Sequence, residues 1–359
     1  MRVLFDARTS SWTGVGRYVT GLLSRLMDLS PIDLVVLTSE DFSYYQKIEK
    51  IYMRFNVLST RGLFELTFAS RRKGIDIIHS PMYVTPLLPS SRLVVTIHDL
   101  IPIRMPEVMT GKSRRSMYYL LNKLAVNNAD AILVPSSSTK YDVIDIFRCS
   151  EGKVHVIPHA LDDVFFNIRS RSSHTCKGLH PEERYLLGIG NHKPHKNLVK
   201  LLKAFAITRK DVESKLVLIG TEDSLSSEIR AIIDKLGIKK EVFFSGKLTD
   251  AELINLYSGA LAFIFPSVYE GFGLPPLEAM ACGVPVACSN SASLPEVVGD
   301  SALLFDPYTV DSIADAIIKI TFDQKLRSSL TEKGRRRVRN FSWDSTATNI
   351  LEVYNKIIR

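Results

Sequence analysis

The sequence predicts an α/β protein built from two doubly wound parallel sheets. Three observations carry that prediction. The chain has 359 residues, more than one hydrophobic core normally organises, so two domains are expected. Short, β-branched runs that are apolar almost without interruption recur with helical patterns between them, as in strands buried on both faces under helices. A polar, patternless stretch at 168–183 separates six such runs from six more.

The first six runs are "RVLFDA", "IDLVVLTS", "DIIHSP", "LVVTIHD", "AILVPS" and "VHVIPHA". The second six are "RYLLGIG", "KLVLIG", "VFFSG", "LAFIFPS", "VPVACS" and "ALLFDP". Strand–helix alternation implies right-handed crossovers, hence two Rossmann-like domains and one linker. The expected boundaries are 1–167, a linker at 168–183, 184–342, and a terminal helix at 343–359 that returns to the first domain. Ligands of such sheets bind beyond the carboxyl ends of the strands. The unusual residues fall there: "TGVGRY" after the first run, "IHDL" after the fourth, "GNHKPHKN" after the seventh, "GK" after the ninth and "YEGFG" after the tenth. Chemistry is therefore expected where the two domains face each other across a cleft.

Composition excludes several classes. With 45% hydrophobic and 23% charged residues the chain is an ordinary globular one. Its longest apolar runs, such as "GALAFIF" at 259–265, fall far short of the ~20 residues that span a bilayer. The opening "MRVLFDARTS" reads as a strand and not a signal peptide. Cys149, Cys176, Cys282 and Cys288 lack metal-ligand spacing and read as reduced thiols of a cytosolic protein. The net charge is +8, and residues 1–150 hold 19 Lys and Arg against 13 Asp and Glu, the excess lying after residue 50. That balance suits an anionic membrane surface or a phosphorylated substrate. No nucleic-acid motif accompanies it, so nucleic acid is not an expected partner.

Four motifs carry candidate chemistry. "TGVGRYVTGLLSRL" is a glycine loop opening an amphipathic helix, a place for phosphate or simply a tight turn. It is not a full dinucleotide fingerprint, because Val19 stands where a third glycine is needed. "GNHKPHKNL" sets Lys193, His195 and Lys196 between a strand and a helix, as an anion clamp or a solvated basic loop. "TIHDLIP" puts His98 and Asp99 at a strand end. "PSVYEGFGLPPLEAMACGVPV" places Glu270 and Glu278 eight residues apart, inside a block from Ala251 to Asp300 that has no Lys or Arg. Glu278 is expected near a helix start and Glu270 in the loop before it. Two carboxylates with no cationic partner nearby in sequence suit the vicinal hydroxyls of sugar and ribose; the alternative is that both cap a helix. No D-x-D triplet and no His/Asp/Glu cluster at metal spacing is present, so neither a metal nor any other cofactor is expected.

The stretch "YEGFGLPPLEAMACGVPV" resembles the E-x7-E signature of retaining GT-B glycosyltransferases of family 4. "GVGRY", "TIHDLIPIRMPE", "VIPHALDDVFF", "GNHKPHKNL" and "FSWDSTATNILEVY" resemble that family too, in its order. The resemblance covers essentially the whole chain and implies a UDP- or GDP-sugar donor and a glycan or lipid-diphosphate-linked acceptor. It implies that Glu278 holds the ribose and Glu270 the donor sugar. It gives the backbone of Gly271, Phe272, Gly273 and Leu274 to sugar and phosphate. Lys196 is implied for the diphosphate, with Gly14, Val15 and Gly16 closing on it. Gly246, Lys247 and Leu248 are implied at the base, and His98 near the reacting face. Many relatives have an arginine where this chain has Asn191, so that side of the clamp is altered. Arg17, Tyr18, Asp99, Arg114 and Arg115 are the acceptor-side candidates. The implied reaction is metal-independent transfer with retention, stabilised by the phosphate clamp. A non-catalytic sugar-nucleotide-binding subunit and a GT-B epimerase are the alternatives.

The segment 104–124 combines Arg104, Lys112, Arg114, Arg115 and Lys123 with Met117, Tyr118, Tyr119, Leu120 and Leu121. One expectation is a basic, apolar flank that docks peripherally on anionic lipid at the inner face of the plasma membrane. The other is a solvated helix whose apolar residues face the core.

Overall fold

The computed structural model describes residues 1–12, 14–29, 32–39, 48–166, 179–180, 182–224 and 226–359. Most of the expected linker at 168–183, with Cys176, lies outside these residues. The chain divides into two compact units, Met1–Asp162 with Phe341–Arg359, and Asp163–Asn340.

The first unit begins β1 (Arg2–Asp6), α1 (Val15–Leu26), β2 (Asp33–Thr38), β3 (Glu49–Tyr52), α2 (Thr60–Ala69) and β4 (Ile77–Ser80). It continues β5 (Arg92–Thr96), α3 (Ile101–Arg104), α4 (Lys112–Asn128), β6 (Ala131–Val134), α5 (Ser137–Phe147) and β7 (Val154–Val156). The strands pair in parallel in the order β3-β2-β1-β4-β5-β6-β7. Successive side chains leave opposite faces, so the sheet feeds two cores. Leu4, Val35, Ile78 and Val95 enter one, and Val3, Phe5, Val36, Ile77 and Val94 the other. This double burial is why the strands read as unbroken apolar runs. The edge strand β3, "EKIY", escaped the sequence pattern because none of its four residues is fully buried. Its Glu49 instead pairs with Arg2 and Arg72.

The second unit runs β8 (Tyr185–Ile189), α6 (Leu198–Val212), β9 (Lys215–Ile219), α7 (Ser227–Leu236), β10 (Val242–Phe244), α8 (Asp250–Gly259) and β11 (Ala262–Phe265). It ends α9 (Leu274–Ala281), β12 (Val286–Ser289), α10 (Leu294–Val298), β13 (Ala302–Phe305), α11 (Val310–Phe322) and α12 (Gln324–Arg337). Its parallel strands lie in the order β10-β9-β8-β11-β12-β13. The direction of winding reverses between β8 and β11. The loops leaving those two strands diverge there and open a crevice, the usual ligand position in open α/β sheets.

The last helix, α13 (Trp343–Ile358), belongs to the first unit and packs on α1. Gly21 makes the approach close: a Cβ there would stand 2.2 Å from the Trp343 ring.

Candidate active site

In the second unit the loops after β8 and β11 meet at the switch point. Lys196 Nζ lies 2.6 Å from Glu270 Oε1. The sequence shows no cation near Glu270, and the structure corrects that expectation: the partner comes from 74 residues away. Ser267 Oγ lies 2.6 Å from the same carboxylate oxygen, and Val268 N donates to His195 O at 2.8 Å, so the two loops are stitched together. Among the described residues Glu270 Oε2 accepts no hydrogen bond. Lys196 Nζ also stands 5.3 Å over the Phe265 ring, a cation–π contact. Next to it His195 is buried, and burial lowers its pKa to about 4 despite the Glu270 charge, which raises it. His195 is therefore a neutral spacer, Lys193 is exposed, and the half-buried cation of this loop is Lys196.

The loop from Glu270 to Gly273 is held from behind. Ser293 Oγ contacts Glu270 O at 2.9 Å and Phe272 O at 2.7 Å. Gly273 has φ 117, and a Cβ there would approach Leu294 Cδ2 to 2.6 Å, so glycine is required on both counts. Gly271 and Phe272 are buried in the same turn, and Leu274 opens α9 half-buried. Glu278 does not lie near the helix start. Helix α9 begins four residues earlier, because Pro275 and Pro276 fit a first turn that needs no N–H donors. Glu278 accepts a hydrogen bond from Tyr257 Oη of α8 at 3.0 Å. The N-cap is Gly273 and no side chain caps α9, which removes the helix-cap reading of the two glutamates.

The other candidates of this unit line the same rim of the sheet. Asn191, after β8, accepts from Lys193 N at 3.0 Å and folds the loop into an Asx turn. Gly246, at φ 74, turns the chain after β10, and Gly246 N donates to Gly220 O at 2.9 Å. Lys247 beyond it is exposed and Leu248 half-buried.

In the first unit Gly14 is the N-cap of α1 at φ 75, with open space where a Cβ would be. Val15 is the first helical residue and is half-buried. Gly16 has a packing role: a Cβ would come within 2.3 Å of Ser10 O. His98 follows β5, half-buried, with Nε2 2.8 Å from Pro81 O and Nδ1 3.0 Å from His159 Nε2. A carbonyl only accepts, so Nε2 carries the proton and Nδ1 takes one from His159. Burial lowers the His98 pKa to about 4 and keeps the ring neutral. Tyr18, expected on the acceptor side, is a core residue at 6% exposure. Its hydroxyl sits 3.1 Å from Thr96 Oγ1 and its ring packs edge-on against His98. Arg17 pairs with Asp162 at 3.2 Å, and Asp99 Oδ1 accepts from Ile101 N at the start of α3.

The segment 104–124 is helical from Lys112, and its apolar residues divide. Tyr118 is buried with its hydroxyl on Asp99 O, whereas Met117 and Leu120 are 56% and 58% exposed beside exposed Lys112, Arg114 and Lys123. Arg115 is half-buried, held to Pro106 O. A second surface, unnoticed in the sequence, lies around α2: Leu58, Phe64 and Phe68 are exposed, with the Arg71 guanidinium 6.0 Å over the Phe68 ring. Ser267, Tyr257 and His159 also belong to these contacts without standing in a candidate motif. Ser267 three residues before Glu270 and His159 within "VIPHA" are the signals that point to two of them.

A family model described as Glycosyltransferase Family 4 matches residues 12–165, and one described as Glycosyl transferases group 1 matches 172–337. O-antigen chain mannosyltransferase B of Escherichia coli is 32% identical over 387 residues, covering 99% of either chain. The chain belongs to glycosyltransferase family 4. A second likeness is to the MMP alpha-(1->4)-mannosyltransferase of Mycolicibacterium hassiacum, 32% identical over 81% of this chain and 72% of that one. Among solved structures, sucrose-phosphate synthase from Thermosynechococcus elongatus superposes with a TM-score of 0.79 at 20% identity, covering 99% of both chains. Anabaena HepE in complex with UDP-glucose gives 0.78 at 17% identity, over 99% of this chain and all of that one. These show the fold: two parallel α/β domains of the GT-B type. The protein is a glycosyltransferase. Among the described residues no group of three metal-ligating side chains gathers, and no helix is long and apolar enough to cross a membrane.

Proposed function

We propose that this family 4 glycosyltransferase moves a hexosyl group, mannosyl foremost, from a UDP- or GDP-sugar to a glycan or lipid-diphosphate-linked glycan during polysaccharide assembly. The observation that carries the reading is the Lys196–Glu270 pair with Glu278 at the switch point of the second unit. Mannose is proposed because the two relatives above are mannosyltransferases.

In this reading Lys196 neutralises the departing diphosphate, which takes the place of a metal. Glu270 offers its uncommitted oxygen to the donor sugar close to the carbon where positive charge develops. Glu278, steadied by Tyr257, binds the ribose hydroxyls. The acceptor oxygen attacks on the face the diphosphate leaves, so configuration is retained, and the leaving phosphate takes the acceptor's proton. His98 is neutral with both nitrogens engaged, so it supplies shape and not a proton. The apolar, basic flank of α4, together with Phe64 and Phe68 on α2, suits peripheral docking at the inner face of an anionic membrane, where a lipid-linked acceptor resides.

A thermal-shift panel of GDP-mannose and UDP-sugars identifies the donor, since stabilisation follows free ligand over its dissociation constant. Transfer of labelled mannose from GDP-mannose to a lipid-diphosphate-linked glycan in the presence of EDTA is the decisive assay. Donor binding without turnover on any acceptor marks a non-catalytic subunit, and strict need for added magnesium or manganese overturns the metal-independent reading.

A further inference from the structure

Between Asp323 and Arg339 the chain carries seven basic residues against two acidic ones. The structure sorts them into two groups. Lys333 and Arg337 are satisfied next to α10: Lys333 Nζ lies 2.8 Å from Asp300, and Arg337 donates to Val297 O at 2.9 Å and Glu296 O at 2.6 Å. Gly334 lets α12 sit against α9, since a Cβ there would come within 2.9 Å of Met280 Cγ. The other face of α12 is thereby fixed in place. It presents Arg327, Arg335, Arg336 and, just beyond the helix, Arg339 to a cavity of about 690 Å³ that Ser328 and Thr331 also line.

That cavity is short of negative charge. Its one carboxylate, Glu332, is engaged by Arg336. Arg327 is anchored by Nη1 to the carbonyls of Ile320 and Thr321, which orients its guanidinium without neutralising it. Arg335 and Arg339 have no hydrogen-bond or ion-pair partner among the described residues. Four guanidiniums gathered around one paired carboxylate repel one another unless an anion joins them. The planar forks match phosphate oxygens bidentately, and the Ser328 hydroxyl adds a neutral donor, while that of Thr331 donates to Gly283 O at 3.4 Å.

The cavity is also separate from the Lys196 site. Leu261 and Pro285, which line it, precede β11 and β12, whereas Glu270 follows β11. The two sites thus lie at opposite ends of strands four residues long, roughly 13 Å of sheet, beyond the reach of one diphosphate.

We propose that this arginine-lined cavity is a second anion site, taking a phosphorylated small molecule or the phosphate of a lipid headgroup. Its volume lies in the range of small-ligand sites. Isothermal titration of the full chain with inorganic tripolyphosphate tests it, on the wild type, on Lys196→Ala to silence the donor side, and on Arg335→Ser with Arg339→Ser. Both arginines are exposed, so the double variant keeps its fold, which circular dichroism verifies. Lys196→Ala should retain one tripolyphosphate site, and the double arginine variant should weaken that site by about tenfold or more. Sedimentation with phosphatidylglycerol vesicles separates the sources. Loss of vesicle binding in the double arginine variant identifies a lipid headgroup, and unchanged vesicle binding with lost tripolyphosphate binding identifies a soluble ligand. If Lys196→Ala abolishes all tripolyphosphate binding, or if the double variant binds both probes as the wild type does, the site does not exist.

Discussion

Lys196 Nζ and Ser267 Oγ share one oxygen of Glu270, each at 2.6 Å. The pair is largely buried, with side-chain exposures of 16% and 11%, so removing either charge strands the other in a poorly solvated place. Lys196→Met is expected to lower both donor affinity and turnover, by about a hundredfold in kcat/KM. Glu270→Gln keeps a similar shape and should lower kcat by a comparable factor with little change in KM. Steady-state kinetics on both variants separates the roles, and equal, purely KM-type effects would count against them.

Glu278→Gln should act mainly on KM, because contacts to ribose exist in ground and transition states alike. Tyr257→Phe removes the 3.0 Å hydrogen bond to Glu278 and should raise KM by about tenfold or more, the cost of a bond to a charged group. A drop in kcat at unchanged KM in either variant would move Glu278 away from the ribose.

Pro81 O fixes the tautomer of His98, and His159 donates to the nitrogen left without a proton. In His159→Phe the donor to His98 Nδ1 is gone, so the neutral ring loses a stabilising contact and its pKa should rise above about 4, with burial still holding it below the ordinary 6.5. Nitrogen-15 shifts of the His98 ring followed against pH report both tautomer and titration. An unchanged His98 titration would show that His159 merely fills space.

Acid should destabilise the fold before carboxylates titrate. Burial lowers the pKa of His79 to about 3 and of His98 and His195 to about 4. The native chain therefore holds these rings neutral while the unfolded chain protonates them below about 6.5. Stability is fully present above that pH and is lost as pH falls toward 4, each group withdrawing roughly 3 kcal/mol. Thermal melts between pH 8 and pH 4.5 should show Tm falling through this window. A flat profile would mean that the rings are charged in the native state.

Vesicle sedimentation tests the α4 surface independently of the arginine cavity. Arg114→Ala with Arg115→Ala should weaken binding to phosphatidylglycerol vesicles by about thirtyfold at low salt, from about 1 kcal/mol for each of the two basic residues. Wild type remaining in the supernatant at low salt would remove the membrane from the proposal.

Much of the fold was legible because parallel strands covered on both faces leave a continuous apolar trace; all six strands of the second unit and every strand of the first but β3 show it. The trace fails at β3, where Glu49 and Lys50 occupy an edge position and Glu49 pairs with Arg2 and Arg72. In the site, the glutamates stood out through a local absence of cations. Their partners did not, because Lys196 and Glu270 are 74 residues apart and His98 and His159 61, distances at which periodicity carries no information. The start of α9 was misplaced because two prolines read as a loop when they occupy a first helical turn.

The place of Trp343 under Gly21 has a consequence for how the polypeptide is made. Trp343, Ala347, Ile350 and Tyr354 complete a core that also holds Val3, Phe5 and Leu22, yet they leave the ribosome after every residue of the second unit. Domains generally fold as units during synthesis, so Asp163–Asn340 can reach its native state while the earlier-made unit still waits for its final helix. Until then Val19, Leu22 and Leu23 of α1 have no cover from α13, a sticky intermediate that persists for the time needed to translate the second unit. A nascent chain arrested just before Trp343 is the species in which chaperone capture should be strongest.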